Sequence, residues 1–166
     1  MHIARILLQI QLRSYSPVLD KSQWKTRHSS HLKPTTKSAN AIDGICGESA
    51  GDNFISQNKG MQWLQIEFPE VVHGITRVEV AKSSTANYPF EQVELRIGNV
   101  DESHKGDVHL SENSLVGYFG EARAEQMAVF AMAEGDLPSG KFLTLQQFSG
   151  RMMVAEVFLF VKFDTK

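Results

Sequence analysis

Apolar and polar side chains alternate in short stretches along the chain. The alternation is clean at 63–68, 75–80 and 92–97, and a similar pattern follows at 141–146. A period of two places neighbouring side chains on opposite faces of a strand, so each stretch predicts a strand with one buried face. The segment 154–163 is rich in β-branched and aromatic residues and predicts a further strand.

Turn-forming residues separate the predicted strands. They are Pro69, Gly74, Asn87-Tyr88-Pro89, Gly98-Asn99, Gly135-Asp136 and Pro138-Ser139-Gly140. Short strands separated by turns, without helical periods between them, predict an all-β antiparallel sandwich or barrel. The segment 120–133 is rich in Ala, Glu and Met and has helix propensity. Because its surroundings are all-β, we predict a loop followed by a strand at 127–132.

Composition adds few constraints to this picture. The 166 residues suffice for one domain, and a net charge of -2 gives no basic footprint for nucleic acid. The single cysteine, Cys46, excludes a disulfide framework within the chain and is predicted to be a small packing residue. We predict an N-terminal extension at 1–14 and one domain at 15–164. The apolar patch near the start is either a degraded signal peptide or a plain extension, and no transmembrane segment is expected.

Four segments occur in an order that resembles a known superfamily. They are Ser38-Ala39-Asn40-Ala41-Ile42-Asp43-Gly44, Trp63 to Phe68, Glu91 to Asn99, and Gly140 to Gln146 continuing through Met153 to Val157. The series resembles the F5/8 type C (discoidin) or galactose-binding-like superfamily, and within it the F-type fucolectins. The resemblance covers about residues 16–163. It implies an eight-stranded antiparallel jelly-roll sandwich, which agrees with the strand pattern, and an extracellular location.

The residues that bind fucose in F-type lectins are mostly replaced here. Matched by position, the family's His falls near Ile55, its Arg on Lys82, its Asp on Ser84 and its last basic residue on Pro89. Lys82 keeps a positive charge but lacks the planar fork of arginine. The resemblance therefore implies an incomplete fucose site, and the cysteines of many invertebrate relatives are also absent. The same loop offers other donors and acceptors, and the candidate ligand-binding residues are Lys82, Ser84, Asn87 and Tyr88.

A structural calcium ion is a second implication of the resemblance. In many fucolectins the turn at Asp43-Gly44 and the Glu of the last strand hold Ca²⁺, which prefers six to eight oxygen ligands. The candidate ligands here are Asn40, Asp43, Ile45, Asp52, Ser56 and Glu156. An empty turn, in which Asp43 caps the backbone and Gly44 takes positive φ, is the equal alternative.

The sequence predicts recognition and no catalysis. No Ser, His or Cys arrangement forms a known catalytic signature, and His28 and His31 are expected to be solvated loop residues. We predict a non-catalytic module that binds carbohydrate or a glycoconjugate through loops at one end of the sandwich. The alternative is a protein-interaction or adhesion module that has lost sugar binding. An accessory binding module of a larger enzyme also remains open.

Overall fold

The computed structural model of the chain describes residues 15–18, 20–47, 49–82, 90–102, 111–120 and 127–162. These residues form strands joined by loops and by two 3-10 helices, at Ser38–Ala41 and Ala50–Asp52. The described strands are β1 (Tyr15–Pro17), β2 (Lys25–His28), β3 (Phe54–Ile55), β4 (Gln62–Val72), β5 (Ile75–Ala81), β6 (Val93–Gly98), β7 (Ser114–Phe119), β8 (Met127–Ala131), β9 (Gly140–Gln147), β10 (Met153–Val154) and β11 (Glu156–Lys162). The all-β prediction is confirmed.

Two antiparallel sheets carry most of the strands. One sheet has the order β2-β4-β9-β6-β7, the other has β1-β11-β5-β8, and β3 and β10 form a separate short pair. Eight of the described strands have four residues or more, which agrees with the expected jelly-roll sandwich, while β1, β3 and β10 are shorter. The expected strand at 127–132 is present as β8.

The core lies between the sheets and uses one face of each alternating strand. Leu64, Ile66 and Phe68 of β4 are fully buried, and they belong to one cluster with Val78 and Leu159 of the facing sheet. Burying one such side chain contributes about 1.5–3 kcal/mol. Trp63 is also buried. The period of two places it on the outer face of β4, outside the cluster between the sheets.

The prediction of a turn at Pro69 is wrong, because β4 continues through Pro69 to Val72. The register between β4 and β9 shifts between Glu67 and Val72. Proline has no N–H to donate, so it is tolerated where the regular hydrogen-bond ladder is interrupted.

The outer face of the five-stranded sheet is more buried than the alternation predicts. Gln65 and Gln146 are each 1% exposed, and Gln65 Nε2 donates to Thr144 Oγ1 at 3.2 Å. Glu102, in the loop after β6, is only 2% exposed although it carries a carboxylate. Its Oε1 accepts the backbone N–H of Asn113 at 3.4 Å, and such hydrogen bonds offset the cost of burying a carboxylate.

The strand register brings five residues to one end of the sandwich, which we call the upper end. They are His28, Gln62, Ala81, Gln147 and Glu156. The β3–β10 pair connects the sheets here. The Phe54 ring lies 5.5 Å from the His28 ring, and Ala155, next to β10, donates its N–H to the carbonyl of Ala81 at 2.8 Å.

Candidate functional site

A polar cleft of about 450 Å³ opens at the upper end, where β2 ends and β4 begins. We call it the histidine cleft. It is lined by His28, Ser29, Ser30, His31, Gln57, Lys59 and Gln62. These residues come from the end of β2 and the loop after it, the loop between β3 and β4, and the first position of β4. The two loops are thus brought together by strands whose positions the core fixes.

Gln62 holds the floor of the histidine cleft in place. Its side chain is buried, and its Oε1 accepts hydrogen bonds from Ser29 Oγ at 3.0 Å and from Ser30 Oγ at 2.5 Å. Its Nε2 donates to the Lys59 carbonyl at 2.6 Å. The two serine oxygens also accept backbone N–H groups, from Trp63 and Gln57, at 3.1 Å each. The floor is therefore a closed hydrogen-bond network, which rigidifies the loops above it.

His28 and His31 form a hydrogen-bonded pair on the wall of the cleft. His28 Nδ1 lies 2.8 Å from Ser38 Oγ, and His28 Nε2 lies 2.9 Å from His31 Nδ1. Burial, and secondly the charge of His31, lower the pKa of His28, which favours its neutral form. The expectation of solvated loop residues is confirmed for His31, which is exposed, and wrong for His28, which is half-buried at the end of β2. Their spacing of three in an irregular segment gave no sign of the pairing.

Lys59 supplies the ammonium group of the cleft. Its side chain is exposed, and no ion pair joins it to another residue of the described part of the chain. The lining residues that the structure describes include no aspartate or glutamate. The cleft therefore carries hydrogen-bond donors and positive charge without a carboxylate to balance them.

The predicted ligand loop also leaves from the upper end, after β5. Lys82 is half-buried, and its Nζ lies 5.7 Å from the centre of the Phe119 ring. Ser84, Asn87 and Tyr88 lie outside the described residues, so their role in ligand binding stays a prediction. Ile55, which matches the family's histidine, is buried in β3 and is 2% exposed.

The Asp43-Gly44 turn and the last strand meet at Glu156. The Glu156 side chain is fully buried, and its Oε2 accepts the N–H of Gly44 at 2.7 Å. Its Oε1 contacts the ammonium of Lys21, which also donates to the Val157 carbonyl at 2.7 Å. Burial raises the pKa of Glu156, while the Lys21 ammonium and the backbone donors act against that rise.

The other candidate calcium ligands have different partners. Asp43 Oδ1 accepts the N–H of Ile45 at 2.9 Å in a part of the turn open to solvent. Asn40 Nδ2 donates to the carbonyls of Thr35, Gly51 and Asn53, while Asp52 lies against Gly47 and Ser56 Oγ accepts the N–H of Met152. Of the described residues, no three His, Cys, Asp or Glu side chains lie close enough to hold a metal ion.

As arranged here, these residues do not fit a calcium ion. A lysine ammonium already occupies Glu156 Oε1 and the neighbouring carbonyl, and a divalent ion at that position would be repelled by it. Lys21 was missed because it lies 135 residues from Glu156 in the sequence and belongs to no motif. Calcium binding thus stays a prediction that this geometry does not support.

Cys46 lies two residues after Gly44 and is free and exposed. The expectation that it packs in the interior is therefore wrong. Partial burial, and secondly the charge of Glu156, raise the pKa of its thiol, which disfavours the reactive thiolate. Cys46 is thus poorly suited to act as a nucleophile.

Comparison with solved structures identifies the class of fold. An F-type lectin (fucolectin) from striped bass serum, Morone saxatilis, superposes with a TM-score of 0.73 and 18% identity, over 89% of this chain and 49% of that one. The family 32 carbohydrate-binding module of Clostridium perfringens NanJ, solved with galactose, gives 0.67 and 11%, over 89% and 99%. A fucose-binding module of Streptococcus pneumoniae gives 0.64 and 14%, over 87% and 96%.

These likenesses establish the β-sandwich fold that the chain shares with these lectins and carbohydrate-binding modules, and the expected fold is confirmed. The chain spans about half the length of the striped bass lectin. No family model and no curated protein matches the sequence. The described part of the chain holds no helix that is both long and apolar enough to span a membrane.

Proposed function

We propose that this domain is a non-catalytic module that binds carbohydrate through the loops of its upper end. The observation that carries the proposal is the histidine cleft, a polar concavity whose floor is fixed by the buried Gln62. Rigid polar groups in a concave site are what saccharide recognition requires, because hydroxyl groups are bound by directional hydrogen bonds.

The fold and the loop positions give further support. The solved structures described above include a fucose-binding module and a module bound to galactose, on the same type of sandwich. β5 ends at Ala81, so the chain enters the loop after Lys82 from the upper end, where the histidine cleft also lies. We place the function outside cells, where such glycans are accessible.

A glycan array followed by calorimetry tests this proposal. We expect saturable binding of at least one saccharide class, and we expect Gln62→Ala to weaken it because the loops lose their shared acceptor. The matched control is Asn58→Ala, which removes an exposed amide from the loop between β3 and β4 that does not line the cleft. An array without a single reproducible ligand would contradict the proposal.

A protein-interaction role is the second candidate, and one observation favours it. Leu115 and Tyr118 of β7 and Val129 of β8 are 51%, 58% and 49% exposed. Both strands lie at the edge of their sheets. Exposed apolar side chains at adjacent edges are typical of contact surfaces. Tyr118→Ser should then change the sedimentation behaviour or partner binding of the protein without affecting saccharide binding.

A further inference from the structure

We infer that the histidine cleft selects acidic saccharides, meaning sugars that carry a carboxylate or a sulfate group. This inference rests on the proposed carbohydrate function and adds the ligand class. Its basis is the balance between donors and acceptors among the residues that line the cleft.

The acceptors of the cleft are largely used within the protein. Gln62 Oε1 accepts two serine hydroxyls, and both serine oxygens accept backbone N–H groups. Gln57 Nε2 donates to the His31 carbonyl at 3.2 Å. Among the described lining residues, Gln57 Oε1 is the side-chain amide oxygen that stays open to a ligand. A neutral sugar hydroxyl both donates and accepts, so it is poorly matched by this surface.

The donors, in contrast, remain available. Lys59 carries an ammonium with three N–H groups. His31 Nε2 lies outside the hydrogen bonds of the described residues, and it donates only in the tautomer or charge state in which it carries the proton. A carboxylate or sulfate is purely an acceptor, and its bonds to a cationic donor are stronger than neutral ones. Among the described residues that line the cleft there is no Trp, Tyr or Phe on which the apolar face of a neutral sugar would stack.

Paired saccharides test the ligand class. The wild-type protein is titrated with 3′-sialyllactose and a tetragalacturonate, each beside its neutral counterpart, lactose or a carboxyl-reduced oligosaccharide. We expect at least a tenfold preference for one acidic member, and a loss of affinity as the salt concentration rises. Inorganic sulfate is titrated in the same way, and binding as tight as that of the saccharide would show a general anion site and overturn the inference.

Lys59→Gln and its control separate this inference from the proposed function. Lys59→Gln should remove the preference for the acidic member, whereas Lys25→Gln, which changes an exposed lysine at the other end of β2, should not. Tight binding of neutral sugars that Lys59→Gln leaves unchanged overturns the ligand class but keeps the carbohydrate function. An absence of binding to every saccharide overturns both.

The contacts of the Lys21 ammonium support a second inference. We propose that the Lys21 ammonium takes the place that a divalent cation holds in F-type lectins, so that the domain closes without a metal. Lys21 joins the segment before β2 to Glu156 and Val157 at the start of β11, while Gly44 completes the contacts of the carboxylate. Its Nζ also lies 4.9 Å from the Phe158 ring centre and 5.7 Å from that of Trp24, within reach of cation–π attraction.

Thermal melts test whether the Lys21 ammonium takes the place of a divalent cation. The wild-type protein should melt at the same temperature in millimolar calcium and in a chelator, because an ion that bound only the native state would raise the Tm. Lys21→Met should lower the Tm by several degrees, and the control Lys25→Met should leave it unchanged. A calcium-dependent rise in the wild-type Tm overturns the proposal, as does a Lys21→Met variant that melts like the wild type.

Discussion

The two polar sites of the upper end use similar side chains in opposite ways. At Glu156, a carboxylate and a lysine ammonium are paired, and the carboxylate is fully buried. In the histidine cleft, an exposed lysine and a histidine pair lie without a carboxylate among the described lining residues. A buried and satisfied charge pair acts on the folded chain itself, whereas open and unbalanced donors are available to a ligand. The Glu156 site is therefore structural, and the histidine cleft is the one we propose for recognition.

Removal of the buried carboxylate should have the largest effect on the free energy of unfolding. Glu156→Ala leaves the Lys21 ammonium and the Gly44 N–H without their acceptor. Breaking a buried charge pair in this way costs about 3–5 kcal/mol. Urea denaturation should show a loss of this size, while Glu70→Ala, which removes an exposed glutamate of β4, should leave the free energy of unfolding unchanged. A loss below about 1 kcal/mol would mean that the pair does not hold the chain together.

Removing the cation should have a smaller effect. Lys21→Met keeps an apolar stem beside Trp24 and Phe158, and we expect a loss of about 1.5–3 kcal/mol, as for a hydrogen bond to a charged group. The loss should depend on pH. Burial raises the pKa of Glu156 above its usual value of 4.5, and without Lys21 it is raised further.

A carboxyl with a raised folded-state pKa stabilises the fold fully below its unfolded pKa and loses that contribution as the pH rises through the folded pKa. The deficit of Lys21→Met relative to the wild type should therefore be smallest in acid and should grow towards neutral pH. Urea denaturation at several pH values measures it. A deficit that is constant with pH would mean that Glu156 keeps its charge without Lys21.

Features that depend on local spacing could be predicted from the sequence, whereas contacts between distant residues could not. The strands were predictable because alternation depends on local spacing, and the predicted stretches at 63–68, 75–80 and 92–97 all lie within strands apart from Gln92. Gln92 instead takes a positive φ of 52° just before β6. The break at Ala155, between β10 and β11, has no counterpart in the smooth apolar pattern of 154–163.

The candidate sites were harder to predict because they depend on contacts between distant residues. The turn at Gly44 and Glu156 do meet, as the motif order suggested. Lys21 belongs to no motif. The pairing of β1 with β11 brings its segment to the start of β11. In the same way, Gln62 looks in the sequence like an ordinary first residue of a strand, and its role is visible only when two loops fold over it.

The histidine pair should have a smaller effect, on the pH dependence of the free energy of unfolding. Burial lowers the pKa of His28 below its usual 6.5. As the pH falls from 6.5 towards the lower pKa of His28 in the folded protein, the unfolded chain binds the proton more readily than the folded chain. The free energy of unfolding should therefore decrease. His28→Gln should flatten this acid slope in melts between neutral and mildly acidic pH, whereas His73→Gln, which changes an exposed loop histidine, should not. Identical slopes for wild type and His28→Gln would exclude His28 as the group that titrates.

The smallest effect on stability is expected in the cleft itself. Lys59 is exposed and contributes no ion pair to the described part of the fold, so Lys59→Gln should change the free energy of unfolding by no more than about 0.5 kcal/mol. The same change should remove the preference for acidic saccharides, because it removes the charge that a carboxylate or sulfate would contact. Urea denaturation and calorimetry on one protein preparation measure both quantities. A variant that loses stability together with binding would show that Lys59 supports the loop, and the division between a structural and a recognition site at the upper end would then fail.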